Sequence, residues 1–160
     1  MDRYFEKISF ERFSLDVKND KKLYYEYKLP RRASKNSCGY DFLAMEDYII
    51  HPGEIKKIPT GYKAKFLSDE MLMIVVRSSM GFKYNVRMCN QVGVIESDYY
   101  NNISNEGHMW VALQNEGDRD YIINKGDAYA QGIFIKFLTC GDNPEEERIG
   151  GLGSTNKGDW

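Results

Sequence analysis

The ten residues from Asn90 to Tyr99, NQVGVIESDY, set an apolar run directly before two carboxylates and an aromatic ring. Val92, Val94 and Ile95 read as a strand, and Glu96, Ser97 and Asp98 follow where the chain must leave its sheet. A short β-hairpin is expected here, and a turn of that kind can hold a base and do chemistry. Asp, Ser and Asn also favour turns for backbone reasons alone, so by itself the segment reads first as an ordinary polar turn.

Outward from it, the same unit recurs: a short β-branched or aromatic run closed by turn residues. Lys22 to Tyr27, Ile55 to Ile58, Met71 to Val76, Met109 to Gln114, Tyr121 to Ile123 and Gly132 to Leu138 are such runs. Pro52-Gly53, Thr60-Gly61, Glu116-Gly117 and Lys125-Gly126 separate them. The spacing predicts an all-β sandwich or jelly roll. One short helix is expected, Ser79 to Tyr84, just after Arg77-Ser78. The N-terminal segment, with Phe5, Ile8, Phe10, Phe13, Leu15 and Val17, is expected to add a strand to the core.

A chain of 160 residues, 42% hydrophobic, can bury one core, so residues 1–140 read as a single β-rich domain. Residues 141–160, GDNPEEERIGGLGSTNKGDW, are glycine-rich and acidic with little to pack, and are expected to form a flexible arm. Net charge is −2 and the pI about 5.8, so no bulk field invites nucleic acid. No apolar run approaches the roughly 20 residues that span a bilayer, and the first residues lack a signal h-region, which predicts a cytoplasmic protein. Cys38, Cys89 and Cys140 are too widely spaced for a metal or disulfide motif and read as reduced thiols. His51 and His108 read as surface or packing residues, since no second His or Cys sits at ligand spacing.

Five segments acquire meaning together: CGYDFLA (Cys38 to Ala44), VRSSMGFK (Val76 to Lys83), the Asn90 to Tyr99 stretch, KGDAYAQGIF (Lys125 to Phe134) and RIGGLGST (Arg148 to Thr155). In order and spacing they resemble the five motifs of the trimeric dUTP pyrophosphatases, or dUTPases, from about Pro30 to the end of the chain. The insertion NNISNEGHMW (Asn101 to Trp110) looks most like the versions in Gram-positive bacteria and their phages. The resemblance implies an all-β, dUTPase-like jelly roll or distorted β-barrel with one short helix, assembled as a homotrimer. It implies hydrolysis of dUTP to dUMP and pyrophosphate, which lowers dUTP and supplies dUMP for thymidylate synthesis. Mg²⁺ is expected as cofactor, carried mainly by the substrate phosphates with no protein metal ligand. Neither a membrane nor a nucleic-acid partner is expected, and a regulatory protein partner only if the chain is phage-encoded.

Roles follow residue by residue. Such hydrolysis needs a water aimed at phosphorus, a carboxylate to take its proton, and cations to offset charge on the oxygens. The resemblance assigns the carboxylate to Glu96, with Arg77 and Ser78 as its catalytic companions. Arg77, Ser78, Ser79 and Gln131 would hold phosphates, and Arg148, Gly153, Ser154 and Thr155 of the arm would close over the terminal one. Uracil and deoxyribose fall to Asn90, Gly93, Val94, Ile95, Tyr99 and Leu152. There, unpaired polar groups would reject cytosine, a tight hairpin would exclude the thymine methyl, and the Tyr99 ring would leave no space for a 2′-hydroxyl. Asp41, Asp98 and Asp127 complete the motifs structurally.

Four positions depart from the family pattern. Glu96 stands where the family has the water-activating aspartate, and one extra methylene moves the carboxylate by roughly 1 Å, a misplacement that can cost about 10²-fold in rate. Asp98 would share its side of a strand with Glu96 at a different reach. Leu152 replaces a base-stacking phenylalanine, Ala128 an arginine, and Ile149 a glycine or small polar residue. Two rival readings remain open at this point. A dCTP deaminase of the same fold would need a glutamate in Trp110 to Asn115, WVALQN, which has none. A dUTP-binding regulator with weakened catalysis, docking a partner protein, would draw on Glu96.

Overall fold

Alternation organises the strands. In Glu70–Val75 every second residue is buried, Leu72 and Ile74 among them, and Trp110–Asn115 repeats the pattern with Val111, Leu113 and Asn115. The structure, a computed structural model, describes residues 3–141. In chain order it runs β1 (Tyr4–Lys7), α1 (Phe10–Asp16), α2 (Lys21–Glu26), β2 (Arg31–Arg32), β3 (Tyr40–Leu43), β4 (Tyr48–Ile50), β5 (Ile55–Pro59) and β6 (Tyr62–Lys65). It continues through β7 (Glu70–Val75), α3 (Ser78–Tyr84), β8 (Val86–Met88), β9 (Gly93–Glu96), a 3-10 turn (Ser97–Tyr99), β10 (Trp110–Asn115), β11 (Tyr121–Ile123) and β12 (Ala128–Lys136).

A five-stranded sheet has the order β2-β3-β12-β7-β9, and a three-stranded sheet the order β5-β10-β8. Two-stranded ladders, β1-β6 and β11-β4, complete an antiparallel set packed around one core. The sheets are open, so the layout is that of a jelly roll and a closed, distorted barrel is not needed to describe it. Phe42, Leu72, Ile74, Val111 and Leu113, all with 1% exposure or less, come from both larger sheets and join them through apolar burial.

Three expectations are corrected. Lys22 to Tyr27 is not a strand but largely α2: the Asp20 carboxylate caps the Leu23 N–H at 3.0 Å, and Leu23 and Tyr27, one turn apart, are both buried. Tyr27 stacks on Phe13 with centroids 5.3 Å apart, so contact with α1 overrides the β preference of the tyrosines. The N-terminal segment does add a strand, β1, paired with β6 through Phe5↔Ala64, but it then turns into α1, capped by Ser9. The described residues thus hold three α-helices where one was expected. The expected one, α3, starts at Ser78, one residue early.

The third correction concerns the hairpin. β8 and β9 are consecutive, yet β8 bonds to β10 while β9 bonds to β7, so the turn between them carries the chain from one sheet to the other. Gln91, at φ +61°, donates its N–H to the Met88 carbonyl at 3.0 Å and makes that turn. Packing decides the partners. A Cβ on Gly93 would stand 3.1 Å from Ile74 Cβ and 3.3 Å from Met88 Cε, so the glycine lets β9 lie close to its neighbours without pushing them aside.

Candidate active site

Gln131 is the hub of the first half-site. On β12 it is the cross-strand partner of Asp41 on β3 and of Val75 on β7, so strand order alone brings three distant sequence segments to one place. Arg77, Ser78 and Ser79 follow immediately where β7 ends and α3 begins, a helix start without a side-chain cap. With Ala33, Ser37 and Gly39 these residues line a cavity of about 360 Å³. Arg77 Nε lies 3.5 Å from Asp41 Oδ1, and Gln131 Nε2 donates to the Val76 carbonyl at 3.3 Å. Asp41 is largely shielded, whereas the Arg77 side chain is 46% exposed and keeps donors for a ligand. A guanidinium, two hydroxyls and a carboxamide around one concavity suit a phosphate. A cavity of similar size beside α2, lined by Lys18, Lys22, Glu46 and Lys125, binds its charge internally: Lys18 already pairs with Glu46 at 3.3 Å.

Sequence reasoning missed Gly39. A Cβ there would collide with Gln131 Oε1, so the glycine is the space in which the Gln131 carboxamide sits. The signal was present, since Gly39 lies two residues before Asp41 in the motif already singled out. Ala33 and Ser37 precede that motif and carried no signal.

The second half-site lies elsewhere in the chain. Asn90, Val94 and Glu96 are exposed, while Gly93 is buried. Glu96 pairs with Met71 at the start of β7, and the cavity lined by Arg77 and Ser78 opens beyond Val75 at its end. The four residue steps between them span roughly 13 Å of extended strand before the turn into α3 is counted. A single chain therefore does not bring Glu96 to Ser78.

Asp98 does not share a strand face with Glu96, because the strand ends at Glu96 and Asp98 lies in the 3-10 turn. Asp127 closes the turn before β12, its Oδ2 accepting from the Asn124 backbone and side-chain nitrogens at 2.9 and 3.0 Å. Tyr99 is 6% exposed and its hydroxyl is bonded within the chain, so a sugar could meet only a small remainder of the ring. Burial also pushes its phenol above the ordinary tyrosine range. His51 is exposed and bonds Asp120 at 2.8 Å, whereas His108 is fully buried. Cys38 and Cys89 are free thiols. Among the described residues no three His, Cys, Asp or Glu side chains gather around a common point, and no helix is long and apolar enough to cross a membrane. Arg148, Leu152, Gly153, Ser154 and Thr155, with all of the expected arm beyond Gly141, lie outside the described residues.

The chain is thus of the antiparallel jelly-roll class, with an Arg-Ser-Ser helix start beyond one end of β7 and the strand from Gly93 to Glu96 paired along it toward the other. Comparison narrows the class. The dUTPase family model matches residues 25–159. The deoxyuridine 5′-triphosphate nucleotidohydrolase of Lactococcus lactis subsp. lactis is 46% identical over 130 residues, 79% of this chain and 87% of that protein. The crystal structure of dUTPase from Streptococcus mutans superposes with a TM-score of 0.68 at 36% identity, covering 86% of this chain and 98% of that one. The dUTPase of phage φ11 of S. aureus, described with a structural Mg(II) ion, shares the fold at 18% identity and a TM-score of 0.66, covering 92% of this chain and 98% of that one. The chain belongs to the dUTPase family.

Proposed function

We propose that the protein hydrolyses dUTP to dUMP and pyrophosphate. The observation that carries this reading is the cavity in which Arg77, Ser78, Ser79 and Gln131 converge, in a chain of the dUTPase family. Arg77 and the serine hydroxyls hold the phosphates, while Glu96 takes a proton from the attacking water as the P–O bond between the α and β phosphates breaks. Oxygen from water joins phosphorus, and pyrophosphate leaves with the bonding pair. Mg²⁺ fits this donor set as an ion carried by the triphosphate, where it offsets charge on the phosphate oxygens.

The separation of Glu96 from the cradle supports a homotrimer in which one subunit supplies the phosphate residues and a neighbour supplies Asn90, Gly93, Val94, Ile95, Glu96 and Tyr99 for uracil, deoxyribose and water. In the same reading Arg148, Leu152, Gly153, Ser154 and Thr155 are the residues that meet the base and the terminal phosphate, and the enzyme works in the cytoplasm. Neither the deaminase nor the regulator gains support from the relatives, whose descriptions are those of dUTP hydrolases.

Pyrophosphate release from dUTP, dCTP, dTTP and UTP tests the assignment. dUTP should be preferred over each by at least about tenfold, the discrimination expected when buried polar groups are left unpaired or a ligand clashes. Equal release from dCTP or dTTP overturns the uracil reading, and equal release from UTP removes the sugar role of Tyr99.

A further inference from the structure

The insertion Asn101 to Trp110 folds back over Tyr99 and takes up its polar atoms. The Tyr99 hydroxyl donates to the His108 carbonyl at 3.1 Å and accepts from Asn105 Nδ2 at 2.8 Å. Asn102 Nδ2 donates to the Tyr99 carbonyl at 2.8 Å, and Asn102 is itself buried. Gly107, at φ +82°, passes so close that a Cβ would stand 2.6 Å from the Tyr99 carbonyl oxygen. With hydroxyl and carbonyl both engaged, the ring has one position.

The loop is locked in turn from the N-terminal side. His108 Nε2 accepts from the Gly61 N–H at 2.9 Å, so the ring proton sits on Nδ1 and donates to Asp16 Oδ2 at 2.6 Å. The Ser9 N–H donates to Glu106 Oε2 at 3.0 Å, and Arg12 Nη2 donates to the Ser104 carbonyl at 2.9 Å. All three α1-side anchors, Ser9, Arg12 and Asp16, precede residue 25, where the family match begins.

We propose that this α1-locked loop positions the Tyr99 ring and thereby sets the discrimination of dUTP against UTP, with Asn105, His108 and Asp16 as positioning residues. The inference rests on the reading of Tyr99 as the sugar contact. Excluding one hydroxyl by bulk works only if the excluding surface cannot yield. A ring tethered through its hydroxyl to a buried loop resists displacement, whereas an untethered ring can shift enough to admit an extra oxygen.

The test is the ratio of kcat/KM for dUTP to that for UTP, measured with Mg²⁺ on the full chain alongside Tm. Tyr99→Phe keeps the ring and removes both hydroxyl tethers, Asn105→Ala removes one, and Asp16→Ala unties His108 from α1. Each should lower the ratio about fivefold, the equivalent of one hydrogen bond, chiefly through faster UTP turnover. Tyr99→Ala should lower it further. A merely structural role would reduce both substrates together and leave the ratio unmoved. If Tyr99→Ala lowers the ratio while the three tether variants keep the parental value, the positioning proposal is overturned and the sugar contact stands. If Tyr99→Ala itself keeps the parental ratio, the sugar contact fails and the proposal with it.

Discussion

Glu96 and Ser78 lie toward opposite ends of one strand: Glu96 is the cross-strand partner of Met71, the second residue of β7, and Ser78 comes three residues after Val75 at its end. The proposed shared site takes them from different subunits. Mixing Ser78→Ala and Glu96→Gln proteins under subunit exchange should restore about a quarter of parental activity, since each shared site draws its two residues independently. A mixture as inactive as its components, from subunits shown to exchange by mass spectrometry, would count against shared sites.

Glu96 reaches one methylene further than the aspartate of the family pattern. Glu96→Asp should raise kcat by about one to two orders of magnitude with KM little changed, because the uracil and phosphate contacts lie on other residues. Glu96→Gln should bind a non-hydrolysable dUTP analogue yet show no turnover. Parental activity in Glu96→Gln would move the proton-accepting role to another carboxylate.

Gly39 tests the proposed phosphate cradle from within its lining. In Gly39→Ala the new methyl must displace the Gln131 carboxamide, costing its bond to the Val76 carbonyl and pushing it into the cavity. The displaced group is the end of a flexible side chain, so Tm should hold while kcat/KM for dUTP falls about tenfold. A variant with parental kinetics would show that Gln131 has no part in phosphate binding.

Acid should loosen the loop over Tyr99. Burial holds the His108 imidazole below the ordinary histidine range, with Asp16 pulling the other way, so the folded chain resists a proton that the unfolded chain accepts. The stability contributed by neutral His108 is therefore full above the ordinary histidine pKa and declines as pH falls below it toward the folded value. Between about pH 8 and about pH 5, Tm should fall more steeply for the parent than for His108→Gln. The exposed His51, raised by its bond to Asp120, is common to both proteins and cancels in the comparison. Parallel slopes would exclude His108 as the source.

Sequence alone determined the β architecture wherever burial alternates at the strand period. Ile55, Met71 and Tyr121 mark strands that the structure confirms within a residue or two, since a two-residue period depends only on which faces are wet. The resemblance of its motifs to the dUTPase family also singled out Asp41, Arg77, Ser78, Ser79 and Gln131, which the structure gathers in one cavity. What it could not settle was choice of partner. Lys22 to Tyr27 is helical because Tyr27 finds Phe13, and Gly93 leaves β8 for another sheet because Ile74 accepts it. The contact of Gly39 with the Gln131 carboxamide and the tethers of Tyr99 emerged only from tertiary packing. Local propensity acts between near neighbours, whereas the Asp16–His108 bond spans 92 residues and exists only once the core has brought α1 against the insertion.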